Sequence, residues 1–277
     1  MIQIGKTYTL DVVKQVNFGF YLNAHELGQV LLPNKLAPKE LEVGQQVEVF
    51  LYLDSDDMVI ATTQKPKAQI GEFALLKIVS VGRIGAFLDW GLDKDLLLPF
   101  AEQVRPPEEG RGVLVHVHTN RADERIVASA KIDKFLDKTP AHYKDGQQVD
   151  IIIAGTTDLG YKAIINNRHT GVIYTNEVFK PLKYGQRLKA YIKQVRHDGK
   201  VDLQLQRGSK AELDQFSTLI LSKLQKAGGF LPLTDKTDAD VIYQQLGMSK
   251  KAFKKSIGGL YKQGKLTIAD DGLHLTE

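Results

Sequence analysis

The sequence predicts a multidomain, mainly β protein: three tandem five-stranded OB-type barrels followed by an α+β winged-helix domain. Three observations carry this expectation. Glycines and apolar corners recur at offsets of 66 and 75 residues. Each recurring unit reads as short β-branched runs split by glycine and polar clusters, the pattern of strands and turns. After Arg207 the apolar spacing becomes helical.

The repeat has five markers. Gly5, Gly71 and Gly146 align, as do Gly19, Gly85 and Gly160. Leu32 and Pro33 match Leu98 and Pro99, then Ile173 and Tyr174. Gly44, Gly110 and Gly185 follow, and Asp57, Asp123 and Asp198 come late in each unit. The predicted domains are therefore 1–66, 67–132, 145–207 and 209–277. The first unit contains TYTLDVVKQV, FYLN, QVLLP, QQVEVFLYLD and MVIATT. Five strands in about 63 residues suit a small antiparallel barrel of OB type. The linker DKFLDKTPAHYK (133–144) carries Phe135 and Leu136, which should pack rather than swing freely.

In the last domain Leu213, Phe216, Leu219, Ile220 and Leu224 lie at helical spacing, and Gly228 and Gly229 end the helix. Thr237 or Asp238 could cap a second helix over DADVIYQQLG. Ser249 is a good N-cap for KKAFKKSIGGLYKQG, whose buried face would be Ala252, Phe253, Ile257 and Leu260. KLTIADDGLHLTE reads as a hairpin around Asp271 and Gly272. Helices followed by a hairpin make a winged helix, with 249–263 in the recognition-helix position.

Composition narrows the function classes. The chain has 277 residues, a formal charge of +4 and no cysteine. That excludes disulfides and zinc–thiolate sites. The start, MIQIGKTYTL, lacks the features of a signal peptide, and no run approaches a membrane span of about 20 apolar residues. A cytoplasmic protein without a membrane partner is expected. The chain carries no GxxxxGK[ST], HExxH or GxSxG sequence. His116 and His118 alternate on one strand without an evident third ligand. Asp54, Asp56 and Asp57 read as turn residues. No enzyme, metal or cofactor is predicted.

Phe18-Gly19-Phe20-Tyr21-Leu22 and Ile84-Gly85-Ala86-Phe87-Leu88 resemble the F-G-A-F-V pattern of the RNA-binding barrel of the largest small-subunit ribosomal protein, the "S-one" domain. Leu159-Gly160-Tyr161-Lys162-Ala163 resembles it more loosely. The family's third-strand histidine is replaced by Pro33, Pro99 and Tyr174, and Lys162 replaces the second aromatic of the third unit. The order of three barrels and a winged helix resembles the conserved virulence factor B family of bacterial RNA-binding regulators. That resemblance covers essentially the whole chain. It implies RNA binding and post-transcriptional control of gene expression, including virulence regulation.

Single strands bind OB barrels by stacking bases on exposed aromatics above a basic groove. Phe87 should stand outward while Leu88 enters the core; Arg83 lies beside it. Phe18 and Tyr21 are the candidates in the first unit, and Tyr161 and Tyr174 in the third. Core filling is the competing role, and it suits Phe20 and Tyr161 best. Net charge ranks the repeat units differently: −3 over 4–66, −1 over 70–132 and +4 over 145–207. Phosphate contact scales with Lys and Arg, which singles out Lys162, Arg168, Lys189, Lys193, Arg196 and Arg207. Lys250, Lys251, Lys254 and Lys255 repeat at i, i+4, forming a basic face without a neighbouring acid in sequence. A solvated surface is the ordinary fate of lysine. The helix lacks Arg, Asn and Gln at its exposed start, so it suits phosphate contact better than base reading. Single-stranded RNA is the expected partner. Two alternatives stay open: a duplex-DNA-binding transcription regulator, and a protein scaffold on the ribosome or RNA-decay machinery.

Overall fold

The computed structural model describes residues 2–120, 123–139, 141–175, 178, 181–206 and 210–276. Arg207 lies outside the described residues. β1 (Thr7–Val16), β2 (Gly19–Asn23), β3 (Gln29–Pro33), β4 (Gln46–Leu53) and β5 (Val59–Thr62) close a barrel in the order β1-β2-β3-β5-β4. β6 (Phe73–Val81), β7 (Gly85–Asp89), β8 (Leu96–Pro99), β9 (Gly112–Thr119) and β10 (Ile126–Ser129) repeat the pattern. Their hydrogen-bonded order is β10-β9-β6-β7-β8, with β8 and β10 packed together but not paired, so this barrel is nearly closed. β11 (Gln148–Thr157), β12 (Gly160–Ile165), β13 (His169–Tyr174), β14 (Arg187–Val195) and β15 (Val201–Gln204) close the third.

The repeat has a physical cause at each marker. The N–H groups of Gly5, Gly71 and Gly146 donate to the carbonyls of Leu51, Val117 and Ile192 at 2.7, 2.8 and 2.7 Å. Gly44, Gly110 and Gly185 donate to Val12, Ile78 and Ile153, each at 2.8 Å. Those three acceptors mark the shift in register, a bulge, between the first and second strands. Gly19, Gly85 and Gly160 sit opposite Pro33, Pro99 and Tyr174. A Cβ at these glycines would lie 2.3, 2.3 and 2.1 Å from the carbonyl oxygens of Leu32, Leu98 and Ile173. Only glycine lets the second strand approach the third that closely.

Two compact units divide the chain, Met1–Lys138 and Thr139–Glu277. In the first unit the barrels share a core. Phe50 and Tyr52 of β4 are buried with Trp90, Leu88 and Val115 of the second barrel. Trp90 meets Phe50 edge-on at 5.4 Å and donates its indole N–H to the Ala68 carbonyl at 2.6 Å. Phe135 stacks on His116 with ring centroids 4.1 Å apart and lies 4.8 Å from His118. That contact anchors the start of the linker. Ala141 and Tyr143, at its end, join the core of the third barrel.

His116 is 7% exposed. Burial, then the neighbouring His118 charge, lower its pKa to about 4. The folded state therefore binds fewer protons than the unfolded state between about pH 6.5 and 4. Its stabilising contribution is complete above pH 6.5 and lost as pH falls towards 4, by about 2–3 kcal/mol. Urea midpoints at several pH values should show that loss in the wild type. His116→Phe should flatten it.

The C-terminal domain comprises α1 (Lys210–Lys226), β16 (Phe230–Leu231), α2 (Ala239–Leu246), α3 (Lys250–Lys262), β17 (Leu266–Ile268) and β18 (Leu273–Leu275). The expected hairpin gains a third strand, because β16 pairs with β18. Ser249 caps α3 as expected, accepting the Ala252 N–H at 2.9 Å. Asp238 occupies the N-cap of α2 without a side-chain cap bond. Ala252, Phe253, Ile257 and Leu260 are buried. Leu219 departs from expectation: it is 37% exposed, and Phe216, Ile220 and Leu224 form the packed stripe of α1 instead. No helix among the described residues is long and apolar enough to cross a membrane.

Candidate nucleic-acid interface

Alternation along the second strand decides which side chains face out. In the first barrel Phe20 and Leu22 enter the core, so Tyr21 faces out, half-buried, across from Lys14 and Leu31. Phe18 stands at the β1–β2 turn and is 58% exposed. In the second barrel Ala86 and Leu88 enter the core, leaving Phe87 outward between Ser80 and Leu97. Arg83 is exposed at the preceding turn. Ile84 and Leu159 hold the position of Phe18 in the other barrels, each 60% exposed. The aligned glycines marked that position, but an aliphatic residue there is not a stacking surface, so sequence reasoning passed it over.

The third barrel replaces stacking area with charge. Lys162 takes the place of Tyr21 and Phe87, while Tyr161 packs against the core and its hydroxyl accepts the Leu182 N–H at 3.4 Å. Tyr161 thus lies on the inward side of β12, away from the outward row. Lys162, Val172, Asp202 and Gln194 form one row across β12, β13, β15 and β14. Tyr174 lies two residues along from Val172 on the same face. Arg196 places its guanidinium carbon 5.8 Å from the Tyr174 ring centroid, and the Lys193 ammonium sits at 6.0 Å. Asp202, 3% exposed, holds this group together. It accepts from Arg196 Nη2 at 2.9 Å and Nε at 3.0 Å, from Gln194 at 2.7 Å and from the Tyr174 hydroxyl at 3.3 Å. Sequence reasoning chose Tyr174, Lys193 and Arg196 separately and missed the carboxylate that joins them.

Arg168 and Lys189 belong to the other end of the barrel. Arg168 follows β12, at the opposite end of the β12–β13 ladder from the Gly160–Tyr174 pair. Lys189 pairs with Asp150 at 2.6 Å, and Asp150 in turn is tied to Asn166 of that turn. The charges that sequence counting grouped as one surface therefore fall into two. His116 and His118 are stacked with Phe135, and among the described residues no group of three or more His, Asp or Glu side chains converges on a metal site. Asp54 performs turn chemistry: its Oδ1 accepts the N–H groups of Asp56 and Met58, both at 2.9 Å.

Comparison with known proteins matches this architecture. An S1 domain family model matches residues 4–64, and a CvfB-like winged helix domain model matches residues 218–275. The Bacillus subtilis (strain 168) protein YitL is 29% identical over 278 residues, covering 95% of this chain and 90% of that protein. Conserved virulence factor B of Staphylococcus aureus (strain N315) is 25% identical over 253 residues, covering 86% and 82%. Over most of its length the chain is similar to the conserved virulence factor B proteins. A crystal structure of a multidomain Streptococcus pneumoniae protein with nucleic acid binding domains is 23% identical, covers 98% of both chains and has a TM-score of 0.41.

The CvfB-like winged helix corrects the expected lysine face. Lys254 pairs with Asp235 at 3.4 Å, an acid from the loop before α2. Lys250 is half-buried and donates to the Lys236 carbonyl at 3.2 Å. Lys251 and Lys255 are exposed. The pairing at i, i+4 predicted four cations on one face; the fold engages two of them with the neighbouring loop.

Proposed function

We propose that the chain binds single-stranded RNA without catalysing a reaction and acts in post-transcriptional control of gene expression. The observation that carries this reading is the shared outward position two residues after each second-strand glycine. It holds Tyr21, Phe87 and Lys162, with Tyr174 and Arg196 completing the third barrel. Aromatic faces supply sequence-tolerant stacking and the cations supply phosphate contact. The names of the similar proteins, conserved virulence factor B, support a role in virulence regulation. The working parts are the barrels at 1–66, 67–132 and 145–207 and the winged helix at 209–277. Occupancy is the mechanism: the protein covers or presents an RNA in the cytoplasm to the translation or decay machinery.

The test is fluorescence anisotropy with labelled single-stranded RNA and duplex DNA at two salt concentrations. RNA should bind more tightly than duplex, and more weakly as salt rises. Phe87→Ala should cost about 1–2 kcal/mol of binding with little loss of stability, since the ring lies outside the barrel core. Preference for duplex DNA would favour transcriptional regulation through Lys251 and Lys255 of α3. Salt-insensitive failure to bind either would favour a protein scaffold.

A further inference from the structure

The turn that links β4 to β5 in the first barrel does not project freely. It reaches the outward face of the second barrel, and a cavity of about 290 Å³ lies between them. That volume is at the small end of ligand pockets, which run from about 300 to 1,000 Å³. Phe87 and Leu97 line it from β7 and β8. Tyr52 and Trp90, each only 3% exposed, line its deeper part. Three aromatic rings and several aliphatic side chains thus line the cavity, and one of those rings is Phe87, already placed under a bound strand.

Its polar groups select the occupant. Arg125 is ion-paired with Asp57. Lys94 donates to the carbonyls of Leu53 at 3.1 Å and Asp54 at 2.6 Å. The lining thus holds two cations and two carboxylates, Asp57 and Asp95, and carries no net positive charge to attract a phosphate. Asp95 lines the same cavity while remaining largely exposed, and it has no hydrogen-bond partner among the described residues. Burial, then the nearby Asp89 charge, raise its pKa, so a further negative charge is unwelcome there and an N–H donor is favoured. The loop that carries Lys94 and Asp95 is tied to the first barrel beside the cavity: Asp93 accepts from Lys35 of that barrel at 2.8 Å and from Gln64 at 2.9 Å. A preformed site spends less of its binding free energy on ordering.

We infer that this cavity is a pocket for one unpaired nucleobase, which enters with its amino-bearing edge towards Asp95. Adenine, cytosine and guanine carry an exocyclic amino donor; uracil offers only a ring N–H flanked by two carbonyl oxygens, which a carboxylate repels. The inference rests on the single-stranded RNA reading and adds a base preference to it. Trp90 is the only tryptophan of the chain, so its fluorescence reports directly on the pocket.

The experiment titrates the full chain with short labelled oligo(A), oligo(C) and oligo(U), following anisotropy and Trp90 emission together. Oligo(A) and oligo(C) should change Trp90 emission and bind about tenfold more tightly than oligo(U). Asp95→Ala should remove that preference while retaining oligo(U) binding. Ser55→Phe, at an exposed turn position on the rim, should fill the pocket and silence the Trp90 response. Tight RNA binding with unchanged Trp90 emission and no effect of either variant would overturn the pocket and leave the RNA reading standing. Absence of RNA binding by the wild type would overturn both.

Discussion

Replacing Trp90 by alanine is expected to destabilise the unit formed by residues 1–138 by about 3–5 kcal/mol, and to uncouple its two barrels. The indole fills the space between the second barrel and the outer face of β4, edge-on to Phe50. Its removal leaves a cavity that rigid strands on both sides cannot close. It also leaves the Ala68 carbonyl without its indole donor, a further cost of about 1–3 kcal/mol if water cannot enter. Urea unfolding followed by far-ultraviolet circular dichroism should show a lower midpoint and a broader or divided transition. Limited proteolysis should expose the segment between β5 and β6. A loss below about 1 kcal/mol would mean that the polar contacts between the barrels hold them together instead. Those contacts include Lys35 with Asp93 and the paired bonds of Thr7 and Gln69.

Trp90 also marks the boundary of what the sequence makes legible. Gly19, Gly85 and Gly160 stand out because the requirement they meet is local: a backbone approach that a Cβ would block. Alternation around Phe87 is equally legible, since one neighbour enters the core and the ring cannot. The run Val49-Phe50-Leu51-Tyr52 is different. Its unbroken apolar character breaks the alternation expected of a half-exposed strand, because both faces are buried: Val49 and Leu51 in the first barrel, Phe50 and Tyr52 against the second. An unbroken apolar run is compatible with a strand covered on both faces, but nothing in the run names the cover. Leu219 shows the converse. Helical spacing admitted it to the apolar stripe of α1, and only packing against α3 decides which edge of that stripe is used. The lysine face of α3 was misread for a related reason, because Asp235 approaches Lys254 from another element.

Asp202→Ala is expected to weaken RNA binding by about five- to tenfold, although it removes a negative charge from the most basic barrel. Charge counting alone predicts the opposite sign, since a protein freed of one carboxylate should attract phosphate more strongly. Geometry decides against that prediction. Asp202 receives both the Nε and the Nη2 of Arg196, which holds the guanidinium beside the Tyr174 ring, and it also receives the tyrosine hydroxyl. Without the carboxylate, Arg196 regains its rotamers, and fixing them again on binding costs about 0.5–1.5 kcal/mol. Tyr174 loses its anchor at the same time. The fold should suffer as well, by about 2–4 kcal/mol, because removing one partner of a buried ion pair leaves Gln194 and Arg196 unmatched. Affinity should therefore be measured at a temperature where circular dichroism shows the variant folded. Arg196→Ala serves as the reference. If Asp202 acts by positioning Arg196, the double variant Asp202→Ala/Arg196→Ala should bind RNA no more weakly than Arg196→Ala alone. A rise in affinity on Asp202→Ala would show that the carboxylate only screens the basic face, and that Arg196 meets RNA as a mobile charge.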